Sequence, residues 1–299
     1  MITVPDEGYI DVDGGKVWYQ VINGRSSGTP LICLHGGPGY PHDYLEPLAG
    51  LADARPVIFY DQLGCGNSER PSDARLWILD RFVVELRQVV AALHLEGVHI
   101  LGHSWGSMPL MDYALTRAPE LAGLILASPC MSVKRWTEDG RALVAQLPSE
   151  MRDSIERNEA AGTTATPEYR TAMHEFSIRH ICRLDPWPLA AQRSGAKSND
   201  DIYTVMQGVS EFNITGNFRY YERAERLHEI DLPVLWICGR DDEARPETLA
   251  YFQSLVPGSE LAVIQDAGHF AHLEQPEAYL AAIRGFLARA DARGAPPSS

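Results

Sequence analysis

Cysteine is scarce in this chain and follows no pattern. The five residues Cys33, Cys65, Cys130, Cys182 and Cys238 are odd in number and widely spaced, with no C-x-x-C pair. That excludes a disulfide framework and a cysteine-ligated zinc site. Three of them (Cys33, Cys130 and Cys238) lie within or just after apolar runs, where cysteine behaves as a small hydrophobe. Long hydrophobic stretches are missing too: nothing approaches the ~20 apolar residues of a membrane span. Met1 to Asp11 carries acids and no basic stretch, unlike a secretory signal. Positive charge is in deficit, with 26 Lys and Arg against 40 Asp and Glu and a formal net charge of −14. Such a chain offers no electrostatic footprint to nucleic acid or to an anionic membrane. These absences lead us to expect a cytoplasmic globular protein.

What is present alternates. Tyr9–Val12 and Lys16–Val21 flank the turn signal Asp13-Gly14-Gly15 and read as a β-hairpin. Short apolar runs follow at Leu31–Leu34, Pro56–Tyr60, Val98–Leu101 and Leu121–Ala127, with helical periodicity at Leu79–His94 and Ser107–Ala118 between them. The rhythm stops at Ser128-Pro129. It resumes at Pro233–Cys238, a helix from Pro246 to Leu255, a strand at Leu261–Ile264 and a helix over Pro276–Ala290. Strands alternating with helices imply a mostly parallel sheet covered on both faces. We therefore expect an α/β core from residues 1–130 and 229–290, a helical lid inserted at 131–228, and a disordered tail at 291–299.

Chemistry concentrates where strands end. Gly102-His103-Ser104-Trp105-Gly106 reads G-x-S-x-G between a strand and a helix, the setting of a nucleophile elbow. Its tip residue needs unfavourable backbone angles, and small neighbours make room for the turn. A serine hydroxyl needs a base, and the base needs an orienting acid. On an α/β-hydrolase sheet the chain order is Ser, then acid, then His. Asp241, Asp242 and Glu243 follow one strand, and His269 follows the last. We select Asp242 and His269. Asp241 reads as a helix-start residue, His272 as a packing or helix-start residue, and His103 as pointing away from the chemistry. The oxyanion formed on attack needs two backbone donors, expected from Trp105 and from Gly37 in His35-Gly36-Gly37-Pro38-Gly39. This chemistry requires no metal and no organic cofactor.

With these residues assembled, the chain resembles the proline iminopeptidase family of α/β-hydrolases over nearly its whole length. The resemblance rests on His35-Gly-Gly-Pro-Gly39, Asp61-Gln62-x-Gly64-x-Gly66-x-Ser68 and Gly102-His-Ser-Trp-Gly106 taken as a set. Leu63 stands where many members carry arginine, which is similar to the branch containing the tricorn-interacting aminopeptidase. The resemblance implies a serine aminopeptidase. Its acyl group would be proline or another small or apolar residue, and its leaving amine a peptide, a simple amide or an aminoacylated small molecule. It also implies that Glu211 and Glu243 receive a free α-amino group. By residue type alone, Glu211 reads as an ordinary surface glutamate. The lid aromatics Trp136, Trp187, Tyr203 and Phe212 read as packing.

Two rival functions use the same residues. One is a carboxylesterase or lactonase with the same Ser, Asp and His. The other is a non-catalytic receptor that binds a ligand in the cleft. The intact order of Ser, Asp and His argues against the second.

Overall fold

The structure is a computed structural model and describes residue 2 and residues 4–294. The chain opens with an antiparallel hairpin, β1 (Glu7–Val12) and β2 (Gly15–Ile22), in which Val12 pairs with Gly15 across the turn. Then come β3 (Leu31–Leu34), β4 (Val57–Tyr60), α1 (Leu79–Ala92), β5 (Val98–His103), α2 (Ser107–Ala114) and β6 (Leu121–Ala127). The segment after β6 folds as α3 (Val133–Val144), α4 (Ser149–Ala161), α5 (Pro167–His180), α6 (Leu189–Ala196) and α7 (Asp200–Met206). A small hairpin completes it, β7 (Gly208–Ser210) with β8 (Asn213–Ile214). The chain then returns to β9 (Val234–Gly239), α8 (Pro246–Ser254), β10 (Glu260–Ile264), α9 (Ala271–Glu274) and α10 (Pro276–Gly294).

Eight strands form one sheet in the order β1-β2-β4-β3-β5-β6-β9-β10. β2 pairs antiparallel with β1 and β4, and all other neighbours run parallel. The inner parallel strands β3, β4, β5 and β9 are buried at every residue, which explains their unbroken apolar runs. On β3, Ile32 and Leu34 enter one core while Leu31 and Cys33 enter the other. β9 divides the same way, with Trp236 and Cys238 on one side and Leu235 and Ile237 on the other. Two-residue periodicity thus feeds two cores from one continuous hydrophobic segment. Helix α1 turns Phe82, Leu86, Val89 and Val90 onto the first core, an i, i+4, i+7, i+8 stripe.

Two expectations need correcting. The segment 131–228, read as a helical lid without strands, carries five helices and also the short β7–β8 hairpin, with Glu211 and Phe212 at its turn. Three- and two-residue strands carry too little pattern to register in a sequence. The expected tail at 291–299 is helical at its start, because α10 runs on to Gly294. Asp291 explains this. It accepts hydrogen bonds from Arg55 (3.0 Å) and His99 (2.9 Å), which tie the helix end to the sheet. The remainder of that stretch lies outside the described residues. Among the described residues, no helix is long and apolar enough to cross a membrane.

Parallel registers bring the carboxyl ends of five strands to one edge. Leu34 pairs with Gly102, His103 with Ala127, Ala127 with Ile237, and Gly239 with Ile264. The loops that leave these positions carry His35–Gly39, Ser104, Ser128, Asp242 and His269. Such an edge is where open parallel sheets build sites.

Candidate active site

The elbow is built from what its neighbours lack. Ser104 has φ +53°, a left-handed conformation costly for a non-glycine residue. A Cβ on Gly102 would stand 2.6 Å from Gly106 O. One on Gly106 would stand 2.5 Å from Leu34 O and 2.6 Å from His35 O. Only glycines allow β5, the turn and the β3 loop to approach so closely. Behind Ser104 the chain forms a 3-10 turn over Ser104–Gly106 and then α2. The backbone N–H of Trp105 lies in that first turn, where donors have no intrahelical partner.

Asp242 and His269 meet directly. Asp242 Oδ1 accepts from His269 Nδ1 at 2.8 Å. A carboxylate only accepts, so Nδ1 carries the proton and Nε2 presents its lone pair in the neutral ring. Asp242 also accepts from Ser128 Oγ (2.6 Å) and from the backbone N–H of Ala244 (2.8 Å). It is 1% exposed and His269 4%. Asp241 instead faces outward to Arg183. His272 is buried in α9 and packs edge-on against His103, consistent with a packing role.

Gly36, Gly37, Ser104, His269, Glu211 and Glu243 line one cavity of about 300 Å³. Its far walls come mainly from the inserted segment, including Tyr169, Met173, Phe176, Trp187 and Tyr203. A second, tighter space of about 10 Å³ opens on the other side of Gly37, Ser104 and Glu211, lined by Trp105, Met108, Cys130 and Phe218. Trp187 and Tyr203 therefore do more than pack. Trp136 lines the tight space. Phe212 is packed within the insertion, against Phe176.

The two glutamates are the electrostatic anomaly of the site. Glu243 is 3% exposed, and the nearest basic atom is His269 Nε2, 3.8 Å from its Oε1. Burial, then the neighbouring Glu211 and Asp242, push its carboxyl well above the usual range. Desolvation also raises Glu211, opposed by hydrogen bonding from Tyr203. Glu211 accepts from Tyr203 Oη (2.7 Å) and Gln207 Nε2 (3.2 Å). Its backbone carbonyl accepts from Trp136 Nε1 at 2.7 Å, which fixes the hairpin turn. The residue that composition assigns to the surface is thus held facing the cavity.

Several supporting residues escape sequence reasoning. Gln62 joins two loops: its Nε2 donates to His35 O (2.8 Å) and its Oε1 accepts from Trp105 Nε1 (2.9 Å). His103, read as pointing away from the chemistry, is among the residues lining the cavity and takes part in a buried relay with Tyr44 and His269. Ser128 marked only the end of the strand rhythm. The signal for each is a polar residue at a buried strand end, which must find a partner. Its identity lies far along the chain.

One group among the described residues has metal-ligand spacing: His42, Asp43 and Glu46. Each residue already has a partner, His42 in Asp61 (2.7 Å), Asp43 Oδ1 in Lys197 (2.6 Å) and Glu46 in Arg193, while Asp43 Oδ2 has none. It lies in the 3-10 segment His42–Asp53, which follows the Gly37 loop in the chain.

Residues 29–276 match the model of the alpha/beta hydrolase fold family. The chain is 45% identical over 282 residues to a proline iminopeptidase of Heyndrickxia coagulans, covering 94% of this chain and 98% of that one. The crystal structure of proline iminopeptidase from Mycobacterium smegmatis superposes with a TM-score of 0.90 at 36% identity, covering 97% of this chain and 100% of that one. The crystal structure of VinJ gives a TM-score of 0.90 at 34% identity, covering 97% and 99%. The elbow, the acid–histidine pair and these matches over almost the full length lead to one assignment: the chain belongs to the proline iminopeptidase family of α/β-hydrolases.

Proposed function

We propose that this enzyme is a serine aminopeptidase that removes an N-terminal residue, proline or another small or apolar one, from an amide. The observation that carries the reading is the pair of desolvated carboxylates, Glu211 and Glu243, in the cavity wall beside Ser104 and His269. Two neighbouring carboxylates, Glu243 buried and Glu211 half-buried, are unfavourable together unless a cation joins them. A substrate ammonium is that cation, and its Cα then lies next to the carbonyl under attack. The segment 131–228 acts as the lid that closes the cavity over it.

Ser104 Oγ attacks the carbonyl carbon as its proton passes to His269 Nε2. Asp242 keeps the imidazole in the required tautomer and stabilises the imidazolium. The oxyanion accepts from the N–H of Trp105 and of Gly37. Gly36 N–H is already committed to Tyr44 Oη at 2.8 Å, so the loop's donor falls to Gly37. Its φ of +111° requires glycine. The tetrahedral adduct collapses, and the leaving nitrogen takes the proton from Nε2. A water then gives its proton to Nε2, attacks the acyl ester and releases the amino acid, restoring the Ser104 hydroxyl.

The test compares L-prolyl and L-alanyl arylamides with their N-acetyl forms. Selective cleavage of the free-amine substrates is expected. Equal cleavage of blocked substrates overturns the amino-group reading and favours an esterase or general amidase. Full activity in Ser104→Ala overturns the mechanism.

A further inference from the structure

Each reacting loop of the site is held by something other than its own neighbours, and one buried chain of hydrogen bonds joins them. The N–H of Gly36 donates to Tyr44 Oη (2.8 Å), and that hydroxyl lies 2.8 Å from His103 Nδ1. On the other side of the same ring, His103 Nε2 lies 3.0 Å from the backbone carbonyl of His269. The partners fix every proton. A carbonyl only accepts, so Nε2 carries hydrogen. Nδ1 of the neutral ring is then the acceptor, and Tyr44 O–H donates to it while its oxygen accepts from Gly36. The sequence separations are 8, 59 and 166 residues, so no local motif contains this arrangement.

From this geometry we propose that His103 and Tyr44 are positioning residues that set the distance between the oxyanion loop and the general base. The ring sits on the residue preceding the nucleophile. It therefore references both Gly36, next to the Gly37 donor, and His269 to the elbow itself. Tyr44 and His103 are 1% exposed and packed edge-to-face at 5.3 Å at the wall of the cavity, so the relay is held by protein partners. His103 also stacks edge-on 4.7 Å from the His269 ring. A cation at that spot would oppose the imidazolium that forms on His269 during turnover. The environment prevents one: burial, with His269 and His272 nearby, holds the His103 ring neutral far below its ordinary range. The same histidine thus tethers two loops and keeps competing charge away from the base. Neither residue touches a reacting atom in the proposed steps.

The proposal rests on Ser104 and His269 acting as nucleophile and base, and the experiment separates the two. Ser104→Ala reports on that reading alone. Tyr44→Phe, which keeps the ring, tests the relay. Three quantities are compared with wild type: kcat on a prolyl arylamide, inhibition by an aminoacyl boronic acid that forms a tetrahedral adduct on Ser104, and inhibition by free L-proline. A relay that positions the oxyanion loop predicts that kcat and boronate affinity both fall about 10–100-fold, part of the ~10²–10³ cost of losing an oxyanion donor outright. KM and inhibition by free proline stay within about 2-fold, because the glutamates are undisturbed.

His103 variants supply the second arm. His103→Asn keeps an acceptor for Tyr44, and His103→Gln keeps a donor for the His269 carbonyl. Both retain more kcat than His103→Leu, which keeps neither. Equal loss in all three, or weakening of free-proline inhibition by the same factor as the boronate, means general loosening and overturns the proposal. So does unchanged boronate affinity in Tyr44→Phe, a result that stands even if the His103 variants fail to fold.

Discussion

Replacing Glu243 by glutamine removes one charge from the cavity and changes almost nothing in shape. The two consequences have opposite signs. In the free enzyme Glu243 is 3% exposed, with Glu211 and Asp242 as like-charged neighbours. Its carboxyl is raised above that of an unfolded chain. It therefore favours the fold fully below about pH 4.3 and ceases to do so as pH rises through the raised value. Above about pH 4.3 the buried carboxyl is a destabilising element that glutamine lacks. Relief at functional sites of this kind commonly gives about 0.5–2 kcal/mol. For a chain of this size that is roughly 2–4 °C in Tm per kcal/mol. The Tm difference between variant and wild type should vanish below about pH 4.3 and grow as pH rises above it towards the raised value.

Catalysis should move the other way. Two unit charges 4 Å apart at an effective dielectric of 20 attract by about 4 kcal/mol before desolvation. Truncating one partner of a buried, hydrogen-bonded charge pair costs about 2–5 kcal/mol. That is roughly 30- to 5,000-fold in kcat/KM for a free-amine substrate. N-acetyl substrates carry no ammonium and should change little, so selectivity for the free amine collapses. The assay is kcat/KM on paired free and N-acetylated arylamides, together with thermal unfolding across pH. A variant that loses stability at pH 8, or that keeps its amine selectivity, refutes the reasoning.

Other residues give sharper single outcomes. Ser104→Ala should lower kcat by at least about 10⁴-fold with no loss of Tm, measured on a prolyl arylamide at high enzyme concentration. Gln62→Met keeps the volume but leaves the Trp105 indole N–H and the His35 carbonyl without partners, each a loss of about 1–3 kcal/mol. Reduced Tm and reduced kcat are both expected, and an unchanged kcat would separate Gln62 from the oxyanion loop. Gly106→Ala forces a Cβ to 2.5 Å from Leu34 O, so a well-folded and fully active variant, judged by circular dichroism and kcat, would contradict the described elbow.

The sequence exposes the sheet because a strand buried on both faces has to be apolar at every position. Ile32 and Cys33 enter opposite cores yet belong to one run. It exposes the elbow because two glycines at fixed spacing are a steric requirement of the turn. It exposes the order of Asp242 and His269 because both follow strands of the same sheet. What stays hidden is settled by contact across long separations. Glu211 is the clearest case. Alone it is a polar residue in a polar stretch, and its strands are too short to leave a pattern. Trp136 and Tyr203 reach it from two helices, one fixing its backbone and the other its carboxyl.

The same physics separates Ser104 from His103, adjacent residues with unequal legibility. A nucleophile advertises itself through backbone strain that only certain neighbours tolerate. A positioning residue is specified by partners elsewhere in the fold, here the Tyr44 hydroxyl and the His269 carbonyl. Its one local trace is a fully buried polar side chain at a strand end, which cannot remain unpaired without costing about 1–3 kcal/mol. Asking of each such residue where its hydrogen bonds must go turns a buried histidine from a packing residue into a question about which two loops it joins. In this chain the answer links the Gly36–Gly37 loop to His269, and on the proposed mechanism the precision of the site then depends on an imidazole that takes no part in proton transfer.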